Sequence, residues 1–415
     1  MKQLMSLESE ADVPGEATLP GLVPEALRAE LIAFRRDLHM HPELSNQEFR
    51  TTAAIKERLE RAGLAPRVLP SGTGVVCDIG TDPRRPDATG SGLLALRADI
   101  DALPIPDVKS GCAYRSTVPD RAHACGHDVH TTVVLGTGLV LAALHERGLL
   151  PRPVRLIFQP AEEVLPGGAE DVVAAGALDG VRRILAVHCD PRVDAGRIGL
   201  REGPITSACD RLEIALAGPG GHTARPHLTT DLVTAVARVA TDAPALLARR
   251  IDARGGLSLT WGRIESGHAA NVIPQHAELS GTVRCLDLDA WRQAPDLVVA
   301  AIDEIANLHR AKSEITYVRG VPPVVNEVTS VELLQTAMIA RRGPDSVEST
   351  EQSLGGEDFS WYLERVPGAM ARLGVRPPGE RTVRDLHQGD FDVDEHAITV
   401  GVELFTAAAL IDITD

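Results

Sequence analysis

Positive charge is in short supply. Across 415 residues, 42 Lys and Arg face 58 Asp and Glu, a formal net charge of −16, and only Lys2, Lys56, Lys109 and Lys312 are lysines. A chain this acidic repels phosphate backbones unless one face is locally basic. No basic run of that kind is present, so no nucleic-acid partner is expected. Long apolar runs are missing as well. The most apolar window, residues 131–144, is short for a bilayer and contains Gly136 and Gly138, so no membrane association is expected. Residues 1–24 hold acids and prolines without an apolar core, so no secretory signal is expected there. Cys77, Cys112, Cys125, Cys189, Cys209 and Cys285 show no C-x-x-C spacing. In a chain this long they form no disulfide framework, and reduced thiols in a cytoplasm are the expectation. The sequence also lacks G-x-S-x-G, G-x-x-x-x-G-K-[ST] and H-E-x-x-H, which argues against a serine hydrolase, a P-loop and a zincin.

What is present is the balance of a soluble globular protein, 44% hydrophobic and 24% charged, long enough for two or three domains. Leu27, Leu31, Phe34 and Leu38, then Ile55 and Leu59, recur at helical spacing. Residues 72–80 and 92–98 read as strands, the second apolar enough to be buried. A helix is predicted over 128–147, a buried strand over 154–159, a helical stretch over 168–177 and a strand over 183–188 ending in His188. Strands alternating with helices predict an α/β domain with a mostly parallel sheet. The texture changes near Gly203. Strands are predicted over 211–217, 257–266, 276–286 and 314–319, with helices over 231–249 and 290–309. That β-α-β-β-α-β order predicts an inserted ferredoxin-like α+β layer. The expected division is 1–202 and 320–415 for the two parts of one domain and 203–319 for the insertion; residues 341–352 are polar and uninformative.

The strongest chemical signal is residues 123–130, with His123, Cys125, His127 and His130 in eight positions. Thiolate and imidazole suit borderline-soft metals, and Gly126 lets the chain turn so that Cys125 and His127 face one point. Asp128, where a helix begins, either caps that helix or supports a ligand from behind. Read alone, a capped helix with surface histidines competes with that view. The strand over 154–159 then runs into Glu162 and Glu163. Adjacent carboxylates at the end of a buried strand repel, and a dication relieves this: one ligates while its neighbour acts as general base. A solvated acidic turn explains the pair equally well in isolation. His188 is predicted at the same carboxyl edge, where parallel sheets bind ligands. Asp99 or Asp101 can orient a ligand imidazole through its ring N–H, while capping a loop and pairing with Arg97 explains them equally well. Residues 218–222, 271–274 and 281–284 place His222, Asn271 and Arg284 in the insertion, where turns and a strand-face Arg are the plainer reading.

Together these pieces resemble a known family. Residues 35–43, 97–104, 123–130, 158–163, 187–188, 220–227, 271–274, 281–284, 356–359 and 386–387 look like the aminoacylase and carboxypeptidase-G family of dinuclear metallohydrolases. The nearest branch is the amidohydrolases that include hippurate hydrolases, N-acyl-L-amino-acid amidohydrolases and indoleacetyl-amino-acid hydrolases. The resemblance implies a zinc-peptidase-like α/β catalytic domain with an inserted lid and dimerisation domain. It implies two divalent metal ions, held by Cys125, His127, Glu163, His188 and His387, with Cys125 bridging. Zinc suits the thiolate first, with manganese, cobalt or nickel as alternatives. It further implies Glu162 as general base and proton shuttle, and His222 reaching the scissile carbonyl from a partner's lid. Asn271, Arg284 and Gly356 are then expected to bind substrate, with Asp99 and Asp128 behind the ligands. Gln388-Gly389 after His387 and Leu232 after Asp231 depart from the family pattern without removing a ligand. The expected activity is cleavage of an N-acyl-L-amino acid by a cytoplasmic homodimer. A metallo-carboxypeptidase or dipeptidase, and a catalytically silent metal-binding dimer, are the alternatives.

Overall fold

The computed structural model describes residues 21–81 and 92–411; the reading of residues 1–24 therefore falls mostly outside the described residues. The described residues open on two helices, α1 (Glu25–Met40) and α2 (Phe49–Arg61), followed by β1 (Arg67–Val68), β2 (Val75–Ile79) and β3 (Leu93–Asp99). Next come α3 (His127–Glu146), β4 (Val154–Gln159), α4 (Ala169–Ala174), β5 (Val181–Asp194) and β6 (Ile198–Leu200). A second layer consists of β7 (Ala208–Ala217), α5 (Leu232–Arg250), β8 (Ser258–Ser266), β9 (His276–Cys285), α6 (Leu288–Leu308) and β10 (Lys312–Val321). The chain returns through α7 (Val328–Arg342), β11 (Val347–Ser349), β12 (Gly368–Arg376) and α8 (His396–Leu410).

The large sheet has the order β1-β2-β4-β3-β5-β12-β6-β11. Its centre, β4-β3-β5-β12, is parallel, while β2 and β6 join it antiparallel. Every residue of β3 is buried, as a central parallel strand covered on both faces requires. α3 packs over β3 and β4 and against α1 and α8. It is the one described helix long and apolar enough to cross a membrane, and 94% of its most apolar window is buried inside this fold. Its glycines are contact points. A Cβ on Gly136 would lie 2.7 Å from Leu31 Cδ1, and one on Gly138 would lie 2.3 Å from Leu156 Cδ1.

The second sheet, β8-β9-β7-β10, is fully antiparallel. β7 alternates buried and exposed positions, so Leu212, Ile214 and Leu216 share a core with Val236 and Val239 of α5 and Val298 and Ile302 of α6. Both helices start on an aspartate: Thr234 N donates to Asp231 Oδ1 at 3.0 Å and Ala290 N to Asp287 Oδ1 at 2.8 Å. The β-α-β-β-α-β layer read from the sequence is present. One strand differs. β5 continues to Asp194, so His188 lies within it rather than at its end. β5 runs on because β12 pairs with it past His188, whereas the pairing of β3 stops at Ala186.

Candidate metal centre

Five side chains converge above the carboxyl ends of the parallel strands. Cys125 and His127 come from the turn into α3, whose first cap residue, Gly126, has φ +88°. Glu163 follows β4, His188 projects from β5, and His387 sits in the loop before α8. The ligand atoms of Cys125, His127 and His188 lie within 4.8 Å of one another, as do those of Cys125, Glu163 and His387. Cys125 is common to both triads. Cys125 Sγ is 3.5 Å from His188 Nε2, and His387 Nε2 is 3.6 Å from Glu163 Oε2.

Hydrogen bonds fix which nitrogen His188 and His127 offer. His188 Nδ1–H donates to the Cys189 carbonyl at 2.8 Å, leaving Nε2 facing Cys125. His127 Nδ1–H donates to Asp101 Oδ1 at 3.2 Å, and its buried Nε2 has no hydrogen-bond partner. Glu163 Oε1 is buried without one too, 3.7 Å from His127 Nε2. A buried nitrogen lone pair and a buried carboxylate oxygen left unpaired at one point are costly, and a cation satisfies both. The donor set of thiolate, imidazoles and one carboxylate is that of a dinuclear transition-metal centre, so these residues fit two divalent ions.

Electrostatics agree. Burial, with Glu163 and Glu162 nearby, pushes the Cys125 thiol well above its usual range. Burial also leads in Glu163, raised to about 7, with Asp101 and Asp99 adding to it against the opposing pull of His127. Burial opposes charging of His127, yet Asp99, the Asp101 hydrogen bond and Glu163 raise it to about 10. The centre is a well of negative potential.

Glu162 stands beside the triads, its Oε2 3.9 Å from His127 Nε2. Burial, then Glu357, Glu163 and Asp358, raise its pKa well above the ordinary carboxyl value. Its backbone is held hard. Ala161 has φ +57°, its N–H donates to Glu48 Oε1 at 2.8 Å, and its carbonyl accepts from Gly168 N at 2.8 Å. His387 has φ +61° with its N–H on the Ala124 carbonyl at 2.8 Å. Of the five described non-glycine residues in the left-handed region, Ala161 and His387 lie at the centre and mark strain that the surroundings impose there. Below Glu162, the fully buried Arg97 ties Asp99 (2.7 Å), Gln159 (2.9 Å), Asp358 (2.8 Å) and Glu357 (3.0 Å) into one network.

The remaining candidates separate. Asp101, rather than Asp99, holds His127; Asp99 instead accepts from His130 Nδ1 at 2.6 Å and from Arg97. Asp128 touches none of the five: Arg35 Nε and His39 Nδ1 each lie 2.7 Å from its Oδ2. Its Oδ1 accepts from Val129 N at 3.0 Å in the first turn of α3, although the cap position itself is Gly126. His222 is exposed on a two-residue strand paired with residues 272 and 273 and belongs to none of the clusters found among the described residues. Asn271 is exposed beside it, its carbonyl accepting from Thr223 N at 3.2 Å. Arg284, on β9, donates from Nη1 to the Leu354 carbonyl, at the loop leading into Glu357 and Asp358. Gly356 closes the same seam, where a Cβ would lie 3.0 Å from Cys209 Cβ and Val321 Cγ2. Sequence reasoning reached the pairing of Arg97 with Asp99 and missed its ties to Gln159, Glu357 and Asp358, which strand register and a distant loop bring together.

Comparisons with known proteins give a consistent result. The family model described as peptidase family M20/M25/M40 matches residues 95–411. A Rhodococcus jostii protein, provisionally named glutamate–cysteine ligase 2-3, is 47% identical over 378 residues, covering 91% of this chain; the chain spans only 46% of that relative's length. N-acetylcysteine deacetylase of Bacillus subtilis is 36% identical over 391 residues, 94% of this chain and 98% of that one. A Bacillus subtilis crystal structure described as a dinuclear metal binding peptidase aligns with TM-score 0.79 and 34% identity, covering 93% of this chain and 98% of that one.

Proposed function

The chain belongs to peptidase family M20/M25/M40 and is a hydrolase acting on amide bonds, and on that premise we propose that the amide it cleaves is that of an N-acyl-L-amino acid, giving a carboxylate and a free amino acid. The carrying observation is that two candidate ligand triads share Cys125, while Glu162 clusters with His127 and Glu163 beside them and belongs to neither triad. The deacetylase relative supports the substrate class.

Cys125, His127 and His188 would hold one ion and Cys125, Glu163 and His387 the other, with zinc first and manganese, cobalt or nickel as alternatives. Bound there, two divalent ions would supply Lewis acidity to the scissile carbonyl and make a water acidic enough to lose its proton near neutral pH. Glu162 takes the proton of the attacking water and returns it to the departing amine. Its raised proton affinity suits that shuttle, since a weaker acid accepts a proton readily and still releases it to the nitrogen. Asp101 holds the His127 ring and, through Glu163 N–H at 3.0 Å, the backbone of a second ligand. Arg284, Asn271 and Gly356 take the substrate carboxylate end at the seam between the layers. His222, exposed in its own chain, reaches the carbonyl oxygen of the site in a second copy, which makes the enzyme a homodimer through its second layer. A cytoplasmic location accords with the free cysteines.

The test is turnover of metal-loaded enzyme on acetyl-, benzoyl- and long-acyl-amino acids beside a dipeptide panel. Acyl-amino acids are expected to be cleaved and dipeptides to lag. Preference for dipeptides would move the enzyme to the carboxypeptidases. No turnover with both ions bound would make it a silent metal-binding protein.

A further inference from the structure

Arg372 is a buried cation without a partner. It lies on β12 directly opposite His188 of the parallel strand β5, so their side chains project from the same face of the sheet. Only 5% of Arg372 is exposed, and its Nε and Nη2 are both buried with no hydrogen-bond acceptor. Asp190, Glu357 and the Cys125 thiol act on it electrostatically, yet neither carboxylate comes within 4.0 Å to form an ion pair. Asp190 is engaged by Arg192 at 2.8 and 3.1 Å, and Glu357 Oε1 by Arg97 at 3.0 Å. Burying a guanidinium unpaired is among the most costly arrangements in a protein. The two empty donors matter in kind, because Nε–H and Nη2–H form the edge that takes both oxygens of one carboxylate.

We propose that Arg372 is a specificity-determining residue that receives a second carboxylate of the substrate, distinct from the one at Arg284, so that the preferred substrate is a dianionic N-acyl amino acid. The proposal rests on the amide-hydrolase reading above. The position favours it: Arg372 lies on the floor of the catalytic sheet beside the ligand His188, whereas Arg284 reaches the seam from the second layer. A substrate spanning the centre offers its α-carboxylate to one and a remote carboxylate to the other. That carboxylate belongs either to the acyl group or to the amino-acid side chain. The competing arrangement is a swing of Arg372 onto the unpaired Glu357 Oε2, which would make it structural.

The experiment compares kcat/KM of metal-loaded full-length enzyme on matched pairs. One pair is N-succinyl-L-leucine against its terminal amide, and the other is N-acetyl-L-glutamate against N-acetyl-L-glutamine. Wild type is expected to favour the acid of one pair by roughly tenfold to hundredfold, the worth of a bidentate charged contact. Arg372→Met should erase most of that ratio, and Arg372→Lys, which keeps charge without the fork, should restore part of it. Calorimetric binding of succinate and of L-glutamate, against their amides, gives a readout that needs no turnover. Arg372-dependent binding without amidase activity would sink the amide-hydrolase reading and leave the carboxylate receptor standing. Without ligand, Arg372→Met should melt no lower than wild type, because it removes an unpaired buried charge. No preference for either acid in wild type, an equal loss on all four substrates, or a lower melting temperature of the ligand-free variant would overturn the proposal.

Discussion

Replacing Asp101 by Asn tests how the centre is held. Asp101 accepts three hydrogen bonds: His127 Nδ1–H at 3.2 Å on Oδ1, with Ser45 Oγ–H at 2.7 Å and Glu163 N–H at 3.0 Å on Oδ2. An asparagine offers one oxygen and one NH2. If its oxygen faces His127, the NH2 opposes Glu163 N–H; if it faces Glu163, the NH2 opposes the His127 donor. Either way one metal-binding residue loses its support, while the Ser45 hydroxyl can rotate to accept. Losing one hydrogen bond to a charged group costs about 1.5–3 kcal/mol. At about 1.4 kcal/mol per factor of ten, that is roughly 10–100-fold in metal affinity, the usual effect of removing a group behind a ligand. Chelator competition on Asp101→Asn and Asp99→Asn reads it directly. Asp101→Asn binding both ions within about twofold of wild type, with Asp99→Asn the weaker binder, would refute the assignment of Asp101 as the orienting group.

Three other outcomes follow from the same geometry. Gly126→Ala forces a Cβ 2.7 Å from Cys189 Sγ at φ +88°, and strain plus overpacking should cost about 2–5 kcal/mol in a denaturant titration, with metal affinity falling alongside. Burial raises Glu48 to about 7, against the opposing backbone hydrogen bonds, one of them from Ala161 N–H. An acid with a raised folded pKa binds more protons folded than unfolded between the two values, so its contribution falls as pH rises from about 4.5 to 7 and is level above. Glu48→Gln should therefore gain melting temperature relative to wild type at about pH 8 compared with about pH 5, and an unchanged difference would contradict the shift. Mixing inactive His222→Ala and Glu162→Ala chains should recover activity in mixed dimers, since one of the two sites then pairs an intact Glu162 with an intact partner His222. Self-contained monomers would recover none.

Much of this was legible in the sequence because the candidate ligands come in short local patterns. Cys125 and His127 flank one glycine, Glu162 and Glu163 end one buried strand, and the alternation of residues 208–321 follows one sheet face against two helices. What was hidden depends on register. Asp99 and Asp101 are equally plausible supports along the chain, and only the rotation at the end of β3 gives His127 to Asp101. His188 reads as a strand end because its apolar run stops there, while pairing with β12 carries β5 on to Asp194. Arg372, 184 positions from His188, becomes its neighbour only through the β5–β12 ladder. Asp128 reads as part of the centre from its place after His127, yet the helix turns its carboxylate to Arg35 and His39.

The role given to Glu162 is tested most directly by measuring turnover and metal content of Glu162→Gln side by side. The expected result is a loss of roughly 10²–10⁴-fold in kcat on N-acyl amino acids, with metal content still about two ions per chain. Turnover within about tenfold of wild type, at full metal content, would contradict Glu162 as the proton shuttle and the mechanism built on it.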